Sequence, residues 1–300
     1  MIQTLLPKHL VKTRTSVLMM IPAILLLIVF VGEPFILSII LSLTNLRLGS
    51  PLPMEFVGLQ QYYEIFSDQA FQRAIVNNGI FALCVVPIQT VLALSLALLL
   101  NQKMYGRAMF RMLFFMPVIF PLSLVAVIWI IIFAPNPEGL FNDSLNALTL
   151  GHWQARDFLH NEYFALPAIM LTSIWQGVGF QMIVFLAALQ AIPHQLYEAA
   201  SIDGAKTWQQ FWHITLPQLR YTVAYVVILT TILAFRLFDQ VQIMTQGGPS
   251  NASTTIMFET VKSAFAQQQV AKAAAMTVVL FVIVLSLTGL QQKISKKVRI

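Results

Sequence analysis

Arg236 and Asp239 are the only charges in an apolar run, and they stand three positions apart. On a continuous helix that spacing puts both on one face. A charge inside a membrane span is costly, so it faces a cavity, a substrate path or another charge. The pair therefore either lines a route for a polar solute or locks helix packing. Upstream, Trp175, Gln176 and Gln181 supply an aromatic face and two amides, which is equipment for holding a hydroxyl-rich solute. Packing is the competing role for Trp175. Glu33-Pro34, a carboxylate at a proline kink in the first run, suits local architecture better than chemistry.

Bond-making chemistry finds no support in the remaining residues. The single cysteine, Cys84, excludes disulfides, zinc ribbons and CxxC redox pairs and suits packing. His9, His152, His160, His194 and His213 have no HExxH context and no i,i+4 partner, and they fit loops and interfaces. No carboxylate, histidine or serine cluster has catalytic spacing, so neither an enzyme nor a bound metal or cofactor is expected. No G-x-x-x-x-G-K-[ST] run occurs, so any ATP-driven motor must be another polypeptide.

The elements that must position these residues follow from composition. The chain has 300 residues, 58% hydrophobic and only 10% charged. Soluble domains carry about 25% charged residues, so this chain needs lipid as a second apolar solvent, in keeping with a mean hydropathy of +0.76. Stretches near membrane-spanning length fall at about 17–43, 76–100, 109–133, 163–189, 221–244 and 270–290. The sequence thus predicts an all-α integral membrane protein with six transmembrane helices. It divides into an amino-terminal tail (1–15), a transmembrane domain (16–292) and a carboxyl-terminal tail (293–300). The first run is too long for a signal-peptide core and lacks a small-residue cleavage site.

Charge placement gives the topology a sign. The net charge of +6 forms no stripe with interleaved aromatics of the kind that binds nucleic acid. Lys8, Lys12, Arg14, Lys103, Arg107, Arg111, Lys206, Arg220, Lys293, Lys296, Lys297 and Arg299 fall on one side of the six runs. Only Arg47, Arg73, Arg156, Lys262 and Lys272 fall on the other. The positive-inside rule therefore puts both termini in the cytoplasm.

The loops differ in kind. Segments 44–75 and 134–162 carry turn residues such as Gly49-Ser50-Pro51 and suit extracytoplasmic caps. Segment 190–219 instead has helical periodicity without spanning length. Pro193 can open a helix, and Asp203-Gly204 marks a turn. Trp208, Phe211, Trp212 and Thr215 then recur on one face of a second short helix, and Pro217 begins the next span. An amphipathic helix lying on lipid shares this periodicity, but two short helices with a glycine between them suit a socket better. Ala199 and Ala200 would allow close backbone approach, Gly204 a sharp turn, and Glu198 a charge-assisted hydrogen bond at the joint.

Glu198-Ala199-Ala200, three residues, Gly204, nine residues, then Ile214-Thr215-Leu216-Pro217 resembles the coupling-loop signature of permease subunits in binding-protein-dependent ABC importers. Phe56-Val57-Gly58-Leu59-Gln60-Gln61-Tyr62, Trp175-Gln176-Gly177-Val178-Gly179-Phe180, and Phe238-Asp239 leading to Thr245-Gln246-Gly247-Gly248-Pro249 extend the likeness over nearly all of 15–292. They resemble the carbohydrate-uptake branch, with its maltose-type and glycerol-3-phosphate-type permeases. The maltose-type subunit carries extra amino-terminal spans and a large extracytoplasmic insert, so the six runs here match the shorter form.

The resemblance implies a type I ABC importer permease fold in the bacterial inner membrane and a coupling loop that includes Glu198, Ala199, Ala200, Asp203, Gly204, Ile214, Leu216 and Pro217. It also implies a second, similar permease, two ATPase subunits and an extracytoplasmic solute-binding protein. Few charges in the spans suit a neutral sugar, and Arg236 leaves a phosphorylated polyol open. The rival class, an ion-gradient-driven secondary transporter, would need discontinuous helices and midplane carboxylates, of which the runs offer Glu33 and Asp239.

Overall fold

The computed structural model describes residues 8–51, 53–102 and 105–297, all helix and loop apart from one isolated bridge between Thr44 and Phe56. Lys103, Arg299 and the ends of both predicted tails lie outside these residues. The first run folds as α1 (Lys8–Leu27), a π turn at Ile28–Gly32 and α2 (Glu33–Leu41). Glu33-Pro34 opens α2, where the missing N–H of proline is cheap. Every residue in the apolar window of Leu18–Leu41 stays accessible.

A short α3 (Gln60–Ser67) leads to α4 (Gln69–Asn101), the longest helix. Asp68 caps α4 by accepting from the Ala70 amide at 3.0 Å, and its other oxygen takes Lys272 Nζ at 2.8 Å. The predicted third span is not one rod. It forms α5 (Arg107–Ile119) and α6 (Leu122–Ile132), bent by 103°. Phe120 is extended (ψ 140°) because the residue before a proline, here Pro121, avoids helical ψ. The amphipathic α7 (Leu140–Leu148) caps the following loop.

The central helix α8 (Ala165–Gln190) packs along α4 and α5. A Cβ added at Gly179 would sit 2.0 Å from the Phe114 carbonyl oxygen, so glycine sets this backbone approach, as small residues do in lipid. Next come α9 (His194–Ile202), α10 (Thr207–Gln210), a π turn at Phe211–Thr215 and α11 (Leu216–Phe235). The second short helix predicted in segment 190–219, which together with α9 is termed the lever below, is thus no separate unit: helix runs unbroken from Thr207 to Phe235. Pro217 falls in the first turn of α11, where the wide turn upstream accommodates its missing donor.

The predicted fifth span also breaks. After Phe235 the chain leaves helix and re-enters it as α12 (Asp239–Met244), followed by α13 (Ile256–Val261), a π turn at Lys262–Ala266 and α14 (Val270–Lys297). Helix thus starts before residue 16 and continues past 292. Among the described residues, five helices are long and apolar enough to span a bilayer, and the bent α5–α6 pair supplies a sixth crossing if counted as one.

Broken backbone at membrane depth survives only where protein satisfies it. Asn78 does so here: its Nδ2 donates to the Ala234 carbonyl at 3.1 Å and its Oδ1 accepts from the Ile256 amide at 2.8 Å. Asn77 Nδ2 reaches the Thr254 carbonyl at 2.9 Å, and Thr255 Oγ1 donates to the Leu237 carbonyl at 2.8 Å. Two apolar clusters stack along the central helices. One gathers Phe81, Trp129, Phe133, Ile169 and Val241; the other gathers Ala93, Met182, Phe185, Leu219 and Val226.

Candidate functional site

Between those clusters lies a cavity of about 280 Å³. On α4 the clusters use residues up to Val86 and from Ala93; on α8, up to Ile174 and from Val178. Gln89, Gln176 and Gly177 fall in these gaps and line the cavity with Ser173 and Thr230. Both interrupted helices close it, α6 through Leu122 and the α11–α12 break through Arg236, Asp239 and Gln240. Polar groups therefore converge at the waist between two dry cores.

Their hydrogen bonding is incomplete within the chain. Ser173 Oγ donates to Gln240 Oε1, but Gln240 Nε2 is buried without a partner. Gln240 is 1% exposed and Gln89 5%. Among the described residues, the side chains of Gln89, Gln176, Arg236 and Asp239 have no hydrogen-bond partner and no ion pair. An amide offers two donors and an acceptor, a guanidinium only donors, and a carboxylate only acceptors. Such a ring matches a solute that both donates and accepts at many points.

Arg236 and Asp239 thus meet at the cavity but not on one helix face. Arg236 caps the end of α11, and Asp239 opens α12; each sign suits the helix dipole at its end. Gln176 joins them. Trp175 does not: its ring packs edge-on against Trp129 at 5.7 Å. Gln181 is also outside, one turn below, with Nε2 bonded to Thr230 Oγ1 at 2.7 Å. Gln89 and Gln240 belong to the lining, although the sequence pattern did not single them out. Gln89 was visible as an amide inside an apolar run.

At the other end of α11, Gly204 adopts φ +78°, which glycine alone accepts without strain. The Ala205 amide reaches the Ala200 carbonyl at 2.8 Å and the Gly204 amide the Ser201 carbonyl at 3.1 Å, the paired bonds of a Schellman stop. Glu198, Ala199, Asp203 and Gly204 are exposed, Ala200, Ile214 and Leu216 are half-buried, and Pro217 is exposed. Glu198 does not hold the joint; it contacts His194 Nδ1 at 3.2 Å within its own helix. The joint is made by Tyr197 Oη with Thr215 Oγ1 at 2.9 Å and by Gln210 Nε2 with Ser201 Oγ at 3.0 Å. Trp208, 68% exposed, and Ile202, 87% exposed, project from it. A larger, mostly apolar cavity of about 680 Å³ lies beside the lever between α11 and α14.

A multi-pass helical protein with a polar waist cavity and a helical cytoplasmic-type lever is a membrane transport subunit. Residues 89–300 match the family of binding-protein-dependent transport system inner membrane components, and the chain belongs to that family. It is 35% identical to a probable ABC transporter permease of Bacillus subtilis, over 93% of this chain and 95% of that one. It is 34% identical to the diacetylchitobiose uptake system permease of Streptomyces coelicolor (88% and 77%). It is 32% identical to the trehalose/maltose transport system permease of Thermococcus litoralis (95% and 95%). A crystal structure of a bacterial ABC transporter for alginate import contains the same fold, with TM-score 0.81 at 22% identity over 98% of this chain and 99% of that one. The protein is therefore a permease subunit of the inner membrane, not an enzyme. Discontinuous helices, expected of the secondary-transporter rival, occur here inside an ABC permease fold.

Proposed function

We propose that this chain forms half of the translocation path of an ATP-driven carbohydrate importer. The observation that carries this reading is the waist cavity with its unpartnered Gln89, Gln176, Arg236 and Asp239 side chains. Relatives named for diacetylchitobiose, trehalose and maltose, starch degradation products, and sulfoquinovosyl glycerol support a saccharide or glycoside as the solute. Arg236 and Asp239 then serve as donor and acceptor for hydroxyls, together with Gln176.

The remaining parts follow from what the chain lacks and exposes. A second, homologous permease completes the path, and two ATPase subunits dock on the levers. A solute-binding protein delivers the sugar on the outer side. The coupling loop is 190–219, with Glu198, Ala199, Ala200, Asp203 and Gly204 presenting the docking turn and Ile214, Leu216 and Pro217 joining it to α11. Both termini lie in the cytoplasm. Closure of the ATPase pair shifts the lever between two discrete states, and the continuous helix carries that shift to the break at Arg236.

The test uses the assembled transporter in proteoliposomes with labelled maltose, trehalose and diacetylchitobiose. Uptake of at least one should require enclosed ATP and binding protein and survive collapse of ion gradients by ionophores. ATP-independent uptake abolished by the ionophore would defeat the reading.

A further inference from the structure

One cavity residue outside the predicted set carries a further reading. Gln89 is only 5% exposed, and burial normally forces a polar side chain to find a partner. Its amide has none among the described residues, and it lines the cavity from α4. Its hydrogen bonds must therefore come from whatever fills the cavity, water alternating with solute. Gln240, on α12, lines the same cavity, but its carbonyl is on Ser173 and its Nε2 is closed off.

Gly177 explains why Gln89 is seated there. A Cβ at position 177 would fall 2.2 Å from Gln89 Nε2 and 3.2 Å from its Cδ. Any side chain on α8 at this point would push the amide out of its seat. The φ of Gly177 is ordinary, so the glycine is required by the Gln89 amide and not by the backbone.

We propose that Gln89 is a specificity-determining residue that hydrogen-bonds the hydroxyls of a polyhydroxylated solute, with Gly177 as its positioning residue. This rests on the cavity being the solute path. A solute with no hydroxyl facing Gln89 leaves this buried amide unbonded. Discrimination by such groups is strong, because an analogue lacking the matching hydroxyl forfeits the bond and strands the protein group.

The test uses the whole transporter with its binding protein and two readouts. Without solute, the melting temperature of the detergent-solubilised complex should be unchanged or higher for Gln89→Leu, because this amide has no partner in the fold. A fall like that of a core substitution would overturn the proposal. Gly177→Ala meets only the far end of the flexible Gln89 side chain, so it should leave melting nearly unchanged while displacing the amide. With labelled maltose, trehalose and diacetylchitobiose as probes, Gln89→Leu and Gly177→Ala should each reduce uptake about tenfold, the ratio for one lost hydrogen bond.

The Gly177→Ala, Gln89→Leu double variant tests the positioning role: uptake should fall no further than in Gln89→Leu alone. An additional fall would show that Gly177 acts independently of Gln89 and would overturn its positioning role. If Arg236→Gln and Asp239→Asn abolish uptake while Gln89→Leu stays within twofold, the cavity is the path but this amide does not read the solute. If none of the three changes uptake, the cavity reading itself fails.

Discussion

Tyr197 Oη and Thr215 Oγ1 lie 2.9 Å apart, and this bond ties the first lever helix to the π turn that opens α11. The lever is thus fastened to the same helix whose far end, at Phe235 and Arg236, borders the cavity. A push on α9 reaches the cavity along one continuous rod. Removing the tie should loosen coupling more than stability. Tyr197→Phe and Thr215→Val are each expected to cost about 1 kcal/mol of stability while lowering uptake per ATP hydrolysed. Equal losses of uptake and ATPase activity would show that the bond serves assembly and not transmission.

Gly204 ends α9 at φ +78°. Gly204→Ala should cost roughly 1–2 kcal/mol through left-handed strain alone, since an added Cβ there meets nothing within 4 Å. Gly204→Pro cannot adopt the turn at all. Both Gly204→Pro and Glu198→Lys should leave membrane insertion intact while abolishing uptake, measured by membrane fractionation and by copurification of the ATPase. Wild-type uptake with the ATPase bound would refute the docking role of this turn.

Asp68 and Lys272 join the start of α4 to the start of α14 at 2.8 Å. Burial pulls the Asp68 carboxyl upward, but the Lys272 hydrogen bond and the Ala70 and Phe71 amides outweigh it, and the net shift is downward. A depressed carboxyl adds stability above its unfolded pKa and loses it as pH falls through the folded value. Melting temperature should therefore be insensitive to this pair from neutral pH down to the ordinary carboxylate range near 4 and fall below it. Asp68→Asn should remove that acid-limb dependence. An unchanged profile in the variant would show that other carboxylates govern it.

How much of this was legible in the sequence depends on the range of the contacts involved. Gly204 was legible because a local turn needs it and nothing distant does. The bend after Ile119 had its signals in Pro117 and Pro121, but counting apolar residues along a run averages over a break. The break at Arg236 had no local signal of that kind. It is held by Asn78, whose amide bonds the Ala234 carbonyl and the Ile256 amide across 156 and 178 residues. Gln181 and Trp175 resembled cavity residues by type, yet helical phase turns one toward Thr230 and the other toward Trp129. Residue type was visible; facing was not.

Among the described residues Arg236 and Asp239 make no ion pair, unlike Asp68 and Lys272. Were they a buried structural pair, either single change would strand a charge at a cost of ~3–5 kcal/mol, and the double would recover. Because each instead faces the cavity separately, Arg236→Gln and Asp239→Asn should assemble normally and each reduce solute-stimulated ATPase activity. The double should be worse than either. Assembly rescued by the double, with solute preference unchanged, would remove the pair from the transport path.

Topology can be checked at two serines whose exposure is already known. Ser144, on the α7 cap, and Ser201, on the lever, are both exposed in the structure, so reagent access at each depends on the side of the membrane and not on burial. In a Cys84→Ser background, Ser144→Cys should react with a membrane-impermeant maleimide in cells with a permeabilised outer layer. Ser201→Cys should react only after the inner membrane is opened. The charge distribution sets this sign, since lever residues Lys206 and Arg220 belong to the basic side and Arg156 to the sparse one. The reverse pattern would place the lever outside the cell, where no ATPase could reach Trp208 or Gly204, and would invalidate the coupling role with it.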